Sequence, residues 1–134
     1  PTIVEIGGAE LPEPKKHIIR GRSFLPLIKG TKMDNWNNDF YSEYSMINYA
    51  TAFLRSYRTP EWKLVRDFMD PSRDELYHIA LDPEENINLI NYSSDEIKGV
   101  VDSLHQKILE QMEKINDPLL NEINVDREYY KKSR

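Results

Sequence analysis

Ala50-Thr51-Ala52-Phe53-Leu54-Arg55-Ser56-Tyr57-Arg58-Thr59-Pro60-Glu61-Trp62-Lys63-Leu64-Val65-Arg66 decides the fold. In its first half Ala52, Leu54 and Ser56 alternate with Phe53, Arg55 and Tyr57. In its second half, which Asp67 continues, Trp62, Leu64 and Arg66 alternate with Lys63, Val65 and Asp67. A period of two in runs rich in aromatic and β-branched residues is the pattern of half-buried strands. Between them Arg58-Thr59-Pro60-Glu61 reads as a turn, because Pro60 carries a pre-set φ. The stretch is therefore a β-hairpin.

Working outward, Phe40 to Met46 is a third run of the same character, and Glu75-Leu76-Tyr77-His78-Ile79 is a fourth. Asp70-Pro71-Ser72-Arg73 supplies a turn before it. These runs predict an antiparallel sheet of three to four strands. Residues 93–116 change period. Ile97, Val100, Val101, Leu104, Ile108, Met112 and Ile115 fall on one helical stripe. Ser93-Ser94-Asp95-Glu96 reads as a capping box with Ser93 facing Glu96, and Asn116-Asp117-Pro118 stops the helix. The fold class is α+β: a small antiparallel sheet packed by one long C-terminal helix.

The N-terminal part is of different make. Residues 1–8 read as the last turns of a helix, with Gly7-Gly8 as its stop. Residues 9–22, with Pro12, Pro14, Lys15 and Lys16, read as an exposed connector. Ser23 to Gly30 reads as a short helix capped by Ser23, tolerating Pro26 in its first turn and closed by Gly30. Thr31 to Asp39 is polar and turn-like around Trp36. The short first helix needs a partner surface, and the chain reads as cut from a longer one at Pro1. Residues 119–134, charged and tyrosine-rich from Asp126, read as a loose tail.

The chemistry on offer is thin. The chain has 134 residues, 18 Lys and Arg against 23 Asp and Glu, and a formal charge of −5. This acidic balance argues against nucleic acid or an anionic membrane as partner, and no apolar run approaches a membrane span of about 20 residues. With zero cysteines, disulfides, thiolate metal sites and a cysteine nucleophile are excluded within these residues. His17, His78 and His105 have no partners at metal-ligand spacing. The acidic run Asp82-Pro83-Glu84-Glu85-Asn86 lacks the oxygen spacing of a calcium loop. It reads instead as a turn leading into a short helix with Glu84 and Glu85 in its first turn. Gly21-Arg22-Ser23-Phe24-Leu25 breaks the Gly-x-Ser-x-Gly pattern at its last position. Arg55, Arg58, Lys63 and Arg66 lie on adjacent strands, and Arg55 pairing near Lys63 would make a basic strip suited to an anion. Trp36, Tyr41, Tyr44, Tyr49, Tyr57 and Trp62 are candidates for stacking on sugar rings. No catalytic residue and no metal ligand is assigned.

The order of these pieces resembles the sulfatase family. Pro1-Thr2-Ile3-Val4-Glu5-Ile6-Gly7-Gly8 and Gly21-Arg22-Ser23-Phe24-Leu25-Pro26-Leu27-Ile28-Lys29-Gly30 are similar to the close of its catalytic domain. Arg58-Thr59-Pro60-Glu61-Trp62-Lys63-Leu64-Val65 resembles its C-terminal hairpin. Glu75-Leu76-Tyr77-His78-Ile79, with Asp82-Pro83-Glu84-Glu85 and Asn88-Leu89, resembles its E-L-Y-D-L…D-P-x-E…N-L segment, His78 replacing an Asp. The resemblance covers about residues 1–118. It implies that 1–30 ends the catalytic α/β domain and its connector, and that 31–118 is the C-terminal α+β subdomain.

For function the resemblance implies a parent enzyme that hydrolyses sulfate esters or sulfamates, with sulfated carbohydrate the expected substrate. That parent would use Ca²⁺ and a formylglycine made from C/S-x-P-x-R, a motif not found here. The segment is expected to be inactive alone and to partner the catalytic domain of its own chain. The resemblance also leads us to expect a periplasmic or secreted location. Arg55, Arg58 and Trp36, with the loop from Thr31 to Asn38, are the candidate substrate-bordering residues. Two other readings stay open: a free-standing binding module, and part of a phosphoester hydrolase of the alkaline-phosphatase superfamily.

Overall fold

A computed structural model describes residues 1–10, 21–34, 36–49 and 51–122. They fall into two compact units, Pro1–Asn37 and Asn38–Arg134. The connector expected over 9–22, His17 included, and the expected tail from 123 onward lie largely or wholly outside the described residues.

The first unit holds α1 (Thr2–Ile6) and α2 (Leu25–Ile28). Gly8, at φ +66°, takes the left-handed conformation that ends α1, and Ala9 N–H donates back to the Val4 carbonyl at 3.1 Å. Thr2 is buried, and its Oγ1 accepts from the Phe24 N–H at 3.1 Å, tying the start of α1 to the entry of α2. Ser23 Oγ accepts from Leu25 N–H at 3.2 Å. Phe24 is the residue at the helix boundary, one place later than the expected cap. Gly30, at φ +75°, closes α2 as expected, with Thr31 N–H on the Pro26 carbonyl at 2.8 Å.

The second unit is built on β1 (Phe40–Ile47), β2 (Thr51–Arg58), β3 (Lys63–Asp67) and β4 (Glu75–Tyr77), antiparallel and in the order β1-β2-β3-β4. The β2–β3 turn is held by Thr59, whose N–H donates to the Trp62 carbonyl at 2.8 Å and whose Oγ1 accepts from Trp62 N–H at 3.0 Å. Asp70 Oδ1 accepts from Ser72 N–H at 3.1 Å and starts the 3₁₀ turn Pro71–Arg73. The fourth strand is shorter than its sequence pattern. It ends at Tyr77, because the His78 carbonyl turns back to accept from Leu81 and Asp82 N–H. The helix expected at Glu84-Glu85 is absent. Asp82 Oδ2 accepts from Ile87 N–H at 2.8 Å, closing an irregular turn, and Glu85 sits at φ +57°, a conformation that ends helices rather than building them.

Helix α3 (Asp95–Lys114) is about 30 Å long at 1.5 Å per residue. Its cap is Ser94, not Ser93: Ser94 Oγ accepts from Ile97 N–H at 3.2 Å. Asp95 and Glu96 then occupy the first turn, where the helix dipole favours carboxylates. Ser94→Ala is expected to cost about 1 kcal/mol in urea unfolding and Ser93→Ala next to nothing. The reverse ranking would return the cap to Ser93. At the other end Asn116, at φ +52°, closes the helix, with Asp117 N–H on the Met112 carbonyl at 2.9 Å. The chain then turns into α4 (Leu119–Glu122), inside the stretch read as tail, and Leu119 is buried.

The core lies between one face of the sheet and α3. Tyr57, Leu64, Phe68 and Leu76 meet Val101, Leu104, Ile108, Leu109 and Met112, with Leu119 closing one end. Among the described residues no helix is long and apolar enough to cross a membrane.

Candidate functional site

The cations of β2 and β3 do not form one strip. Successive side chains of a strand point to opposite faces, so Arg55 and Arg58, three residues apart, diverge. The register pairs Arg55 with Arg66 and Arg58 with Lys63, correcting the expected neighbourhood of Arg55 and Lys63.

Arg55 and Arg66 lie on the helix-covered face, 4% and 5% exposed. Two buried guanidinium groups side by side require two carboxylates. Arg66 pairs with Asp74. Arg55 is bound bidentately by Asp117, Nε to Oδ2 at 2.6 Å and Nη2 to Oδ1 at 3.0 Å. Its remaining nitrogen donates to the Leu54 carbonyl at 2.8 Å and to Ser45 Oγ at 3.2 Å. Burial alone would raise the Asp117 pKa, but hydrogen bonds from Arg55 and from Leu119 N–H hold it below the usual carboxylate value. Burial pushes the Asp74 carboxyl up despite Arg66. Arg55 thus faces the core and not an anion in solvent.

Arg58 and Lys63 share the other face at the end of the hairpin. Lys63 is neutralised by Glu85 at 2.5 Å and lies 5.8 Å from the Tyr77 ring centroid. Arg58 is exposed. Across the strand from it stands Phe40, 62% exposed. Two like charges placed opposite each other are destabilising. With Lys63 neutralised, Arg58 is left as an accessible donor fork suited to an oxyanion.

Trp36 belongs to the first unit. It is half-buried, with the Arg22 guanidinium 5.6 Å from its ring centroid. A shallow groove of about 680 Å³ in the second unit, between Thr59–Trp62 and the Gly99–Ser103–Lys107 face of α3, is walled by Asp39, Glu61 and Glu96. Lys107 is already paired to Asp39 at 3.0 Å, so the groove repels a sulfate.

His78 packs against Trp62 with the rings tilted by 52° and their centroids 4.1 Å apart, and His105 tilts against Phe68 at 6.5 Å. Among the described residues no group of three or more His, Cys, Asp or Glu side chains is placed to hold a metal ion. No chemical step is assigned to the described residues.

The comparisons agree with this architecture. The family model for N-sulphoglucosamine sulphohydrolase, C-terminal, matches residues 1–114. A protein of Bacteroides thetaiotaomicron assigned as a sulfatase superposes with a TM-score of 0.70 at 23% identity, covering 93% of this chain and 25% of that one. A second protein, solved in complex with its substrate D-glucosamine-2-N,6-O-disulfate, superposes with a TM-score of 0.67 at 25% identity, covering 88% of this chain and 24% of its own. The chain thus spans about a quarter of the length of the solved structures it matches. No curated relative matches it.

Proposed function

Because the chain belongs to the N-sulphoglucosamine sulphohydrolase C-terminal family, we propose that it serves a hydrolase of sulfate esters or sulfamates whose substrate is a sulfated carbohydrate. The observation that carries this reading is the family match over residues 1–114, on a fold shared with a protein solved with a disulfated glucosamine. In this reading the four-stranded sheet and α3 form a subdomain beside a catalytic domain of the same chain. Nucleophile, formylglycine and Ca²⁺ belong to that domain, and the enzyme works in the periplasm or outside the cell.

The role of these residues is to border the substrate. Arg58 is the strongest candidate, being an accessible guanidinium beside an exposed aromatic ring, Phe40. Trp36 is a second, as a flat surface for a sugar. Arg55 contributes indirectly, by fixing β2 from within.

The test is sulfate release from 2-N- and 6-O-sulfated glucosamine by the full-length protein, with a phosphate monoester in parallel. Turnover of the phosphate ester alone would move the protein to the phosphoester hydrolases. In the active enzyme Arg58→Ala is expected to raise KM for the sulfated sugar about tenfold or more, the loss of one charge-assisted hydrogen bond. A small aryl sulfate should be turned over as before. Unchanged KM and kcat on the sugar would remove Arg58 from the cleft.

A further inference from the structure

The turn just before α3 holds a sequence signal that neither the sheet nor the helix uses. Asn91-Tyr92-Ser93 is an Asn-x-Ser acceptor triplet with no Pro at its middle position. Of the ten asparagines in the chain, only Asn91 has a Ser or Thr two residues on. A triplet is short enough to arise by chance, so its surroundings decide its meaning.

Those surroundings separate Asn91 from the asparagines before it. Asn86 donates its amide to the Asp82 and Glu84 carboxylates, both at 3.3 Å. Asn88 is built into the backbone: its Oδ1 accepts from Leu76 N–H and Ile90 N–H, both at 3.0 Å, and its Nδ2 donates to the Asp74 carbonyl at 3.2 Å. Asn91 instead sits in the turn that Tyr92 N–H closes on the Leu89 carbonyl at 3.0 Å, and Asn91, Tyr92 and Ser93 are all exposed. The cap of α3 is Ser94, which leaves Ser93 outside the helix start. Asn88 on one side and the Ser94 cap on the other hold the ends of the turn, so the triplet is presented from a fixed base. Beside it lies a hollow of about 360 Å³ walled by Ile90, Tyr92, Ile97 and Val101, which Asn91 and Ser93 also line. That is the small end of the range of ligand pockets, about 300–1,000 Å³. Its apolar wall, with Tyr92 58% exposed, suits the face of a first sugar ring.

We infer that Asn91 is the acceptor of an N-linked glycan. The modification is made outside the cytoplasm, so the inference rests on the location proposed above. In the transfer a bond forms between Asn91 Nδ2 and the anomeric carbon of the first sugar. The bond broken joins that carbon to the diphosphate of a lipid-linked oligosaccharide. The lipid diphosphate leaves, and Nδ2 gives one proton to a base of the transferase. Both ends of the signal are at the surface of the folded chain, so a glycan there displaces no packed group.

The experiment is peptide mass spectrometry of the full-length protein recovered from its native host, before and after an amidase that removes N-linked glycans and turns the acceptor into Asp. The wild-type peptide spanning Asn91 should carry an oligosaccharide, and the amidase should leave Asp in its place. Asn91→Gln and Ser93→Ala should lose the glycan altogether, and Ser93→Thr should keep it. Because Ser93 is not the cap of α3, Ser93→Ala should match amidase-treated wild type in its urea midpoint, so that a lost glycan is not a lost fold. An unmodified Asn91 peptide from wild type overturns the proposal, as does a glycan that survives Ser93→Ala. The cell fraction is scored separately. Unmodified Asn91 in protein found outside the cytoplasm overturns the glycan and leaves the location standing. Protein found in the cytoplasm overturns both.

Discussion

Replacing Asp117 by Ala is expected to lower the unfolding free energy by about 3–5 kcal/mol, enough to unfold much of a domain of ordinary stability. The Arg55 and Asp117 side chains are 5% and 1% exposed, and their pairing joins the middle of β2 to the end of α3. Two ions taken from water and given to each other come out near balance. Removing only the carboxylate leaves a buried cation without compensation, and that cost is not recovered. Leu119 N–H also loses its acceptor, so α4 loosens with it. The check is chemical denaturation of Asp117→Ala beside the double variant Asp117→Ala/Arg55→Met. The double variant should recover part of the loss, because an apolar side chain leaves no unpaired charge.

The same pair fixes a pH window. The Asp117 pKa is depressed in the folded state. Its contribution is therefore full above the ordinary carboxylate pKa of about 3.9 and is lost as pH falls through the lower folded value. Asp74, raised by burial, works with the opposite sign, since its folded form holds the proton more readily. Stability owed to Asp117 should be flat from pH 7 to 5 and fall only below about 4. Asp117→Ala should lose that part of the acid transition.

The sequence carried the outline of this molecule because its signals there are local. The alternation through Ala52–Tyr57 and Trp62–Asp67 marks strands wherever the rest of the chain goes, and the Ile97–Ile115 stripe marks a helix that must cover something. Strand count and fold class followed. What did not follow was set by contacts far apart in sequence. Arg55 read as an exposed cation beside Lys63, and nothing within ten residues of it names Asp117, 62 positions on, as its partner. Asp117 carried only the local meaning of a helix stop. Even so, a parity count was available: Arg55 shares a face with Tyr57, a core residue, and Arg58 does not. Small boundary errors had local competitors. Two adjacent serines could each cap α3, and Ser94 holds the Ile97 N–H. At Glu84-Glu85 the Asp82 side chain took the backbone donors that a helix would have used.

The stripe itself is graded, and the grading ranks the cost of cutting its members back to alanine. Ile108 is 0% exposed and sits in the centre of the cluster with Leu64, Leu76 and Met112. Ile108→Ala removes several buried carbon atoms and leaves a cavity among rigid neighbours, for about 2–5 kcal/mol. Alanine's better helix propensity returns less than about 0.7 kcal/mol, so packing decides the sign. Val100, on the same stripe but only partly buried, should cost about 1 kcal/mol when cut to Ala. Leu109 lies beside the stripe and not on it, yet it is 4% exposed. Its truncation should group with Ile108 and not with Val100. Urea unfolding of the three variants orders them. A Leu109→Ala cost near that of Val100→Ala would mean that the apolar band of α3 is as narrow as its sequence period, with the sheet curving away from Leu109. The expected ranking instead requires a band wide enough to be gripped from β3 on one side and from Leu119 on the other, with α4 acting as part of the core.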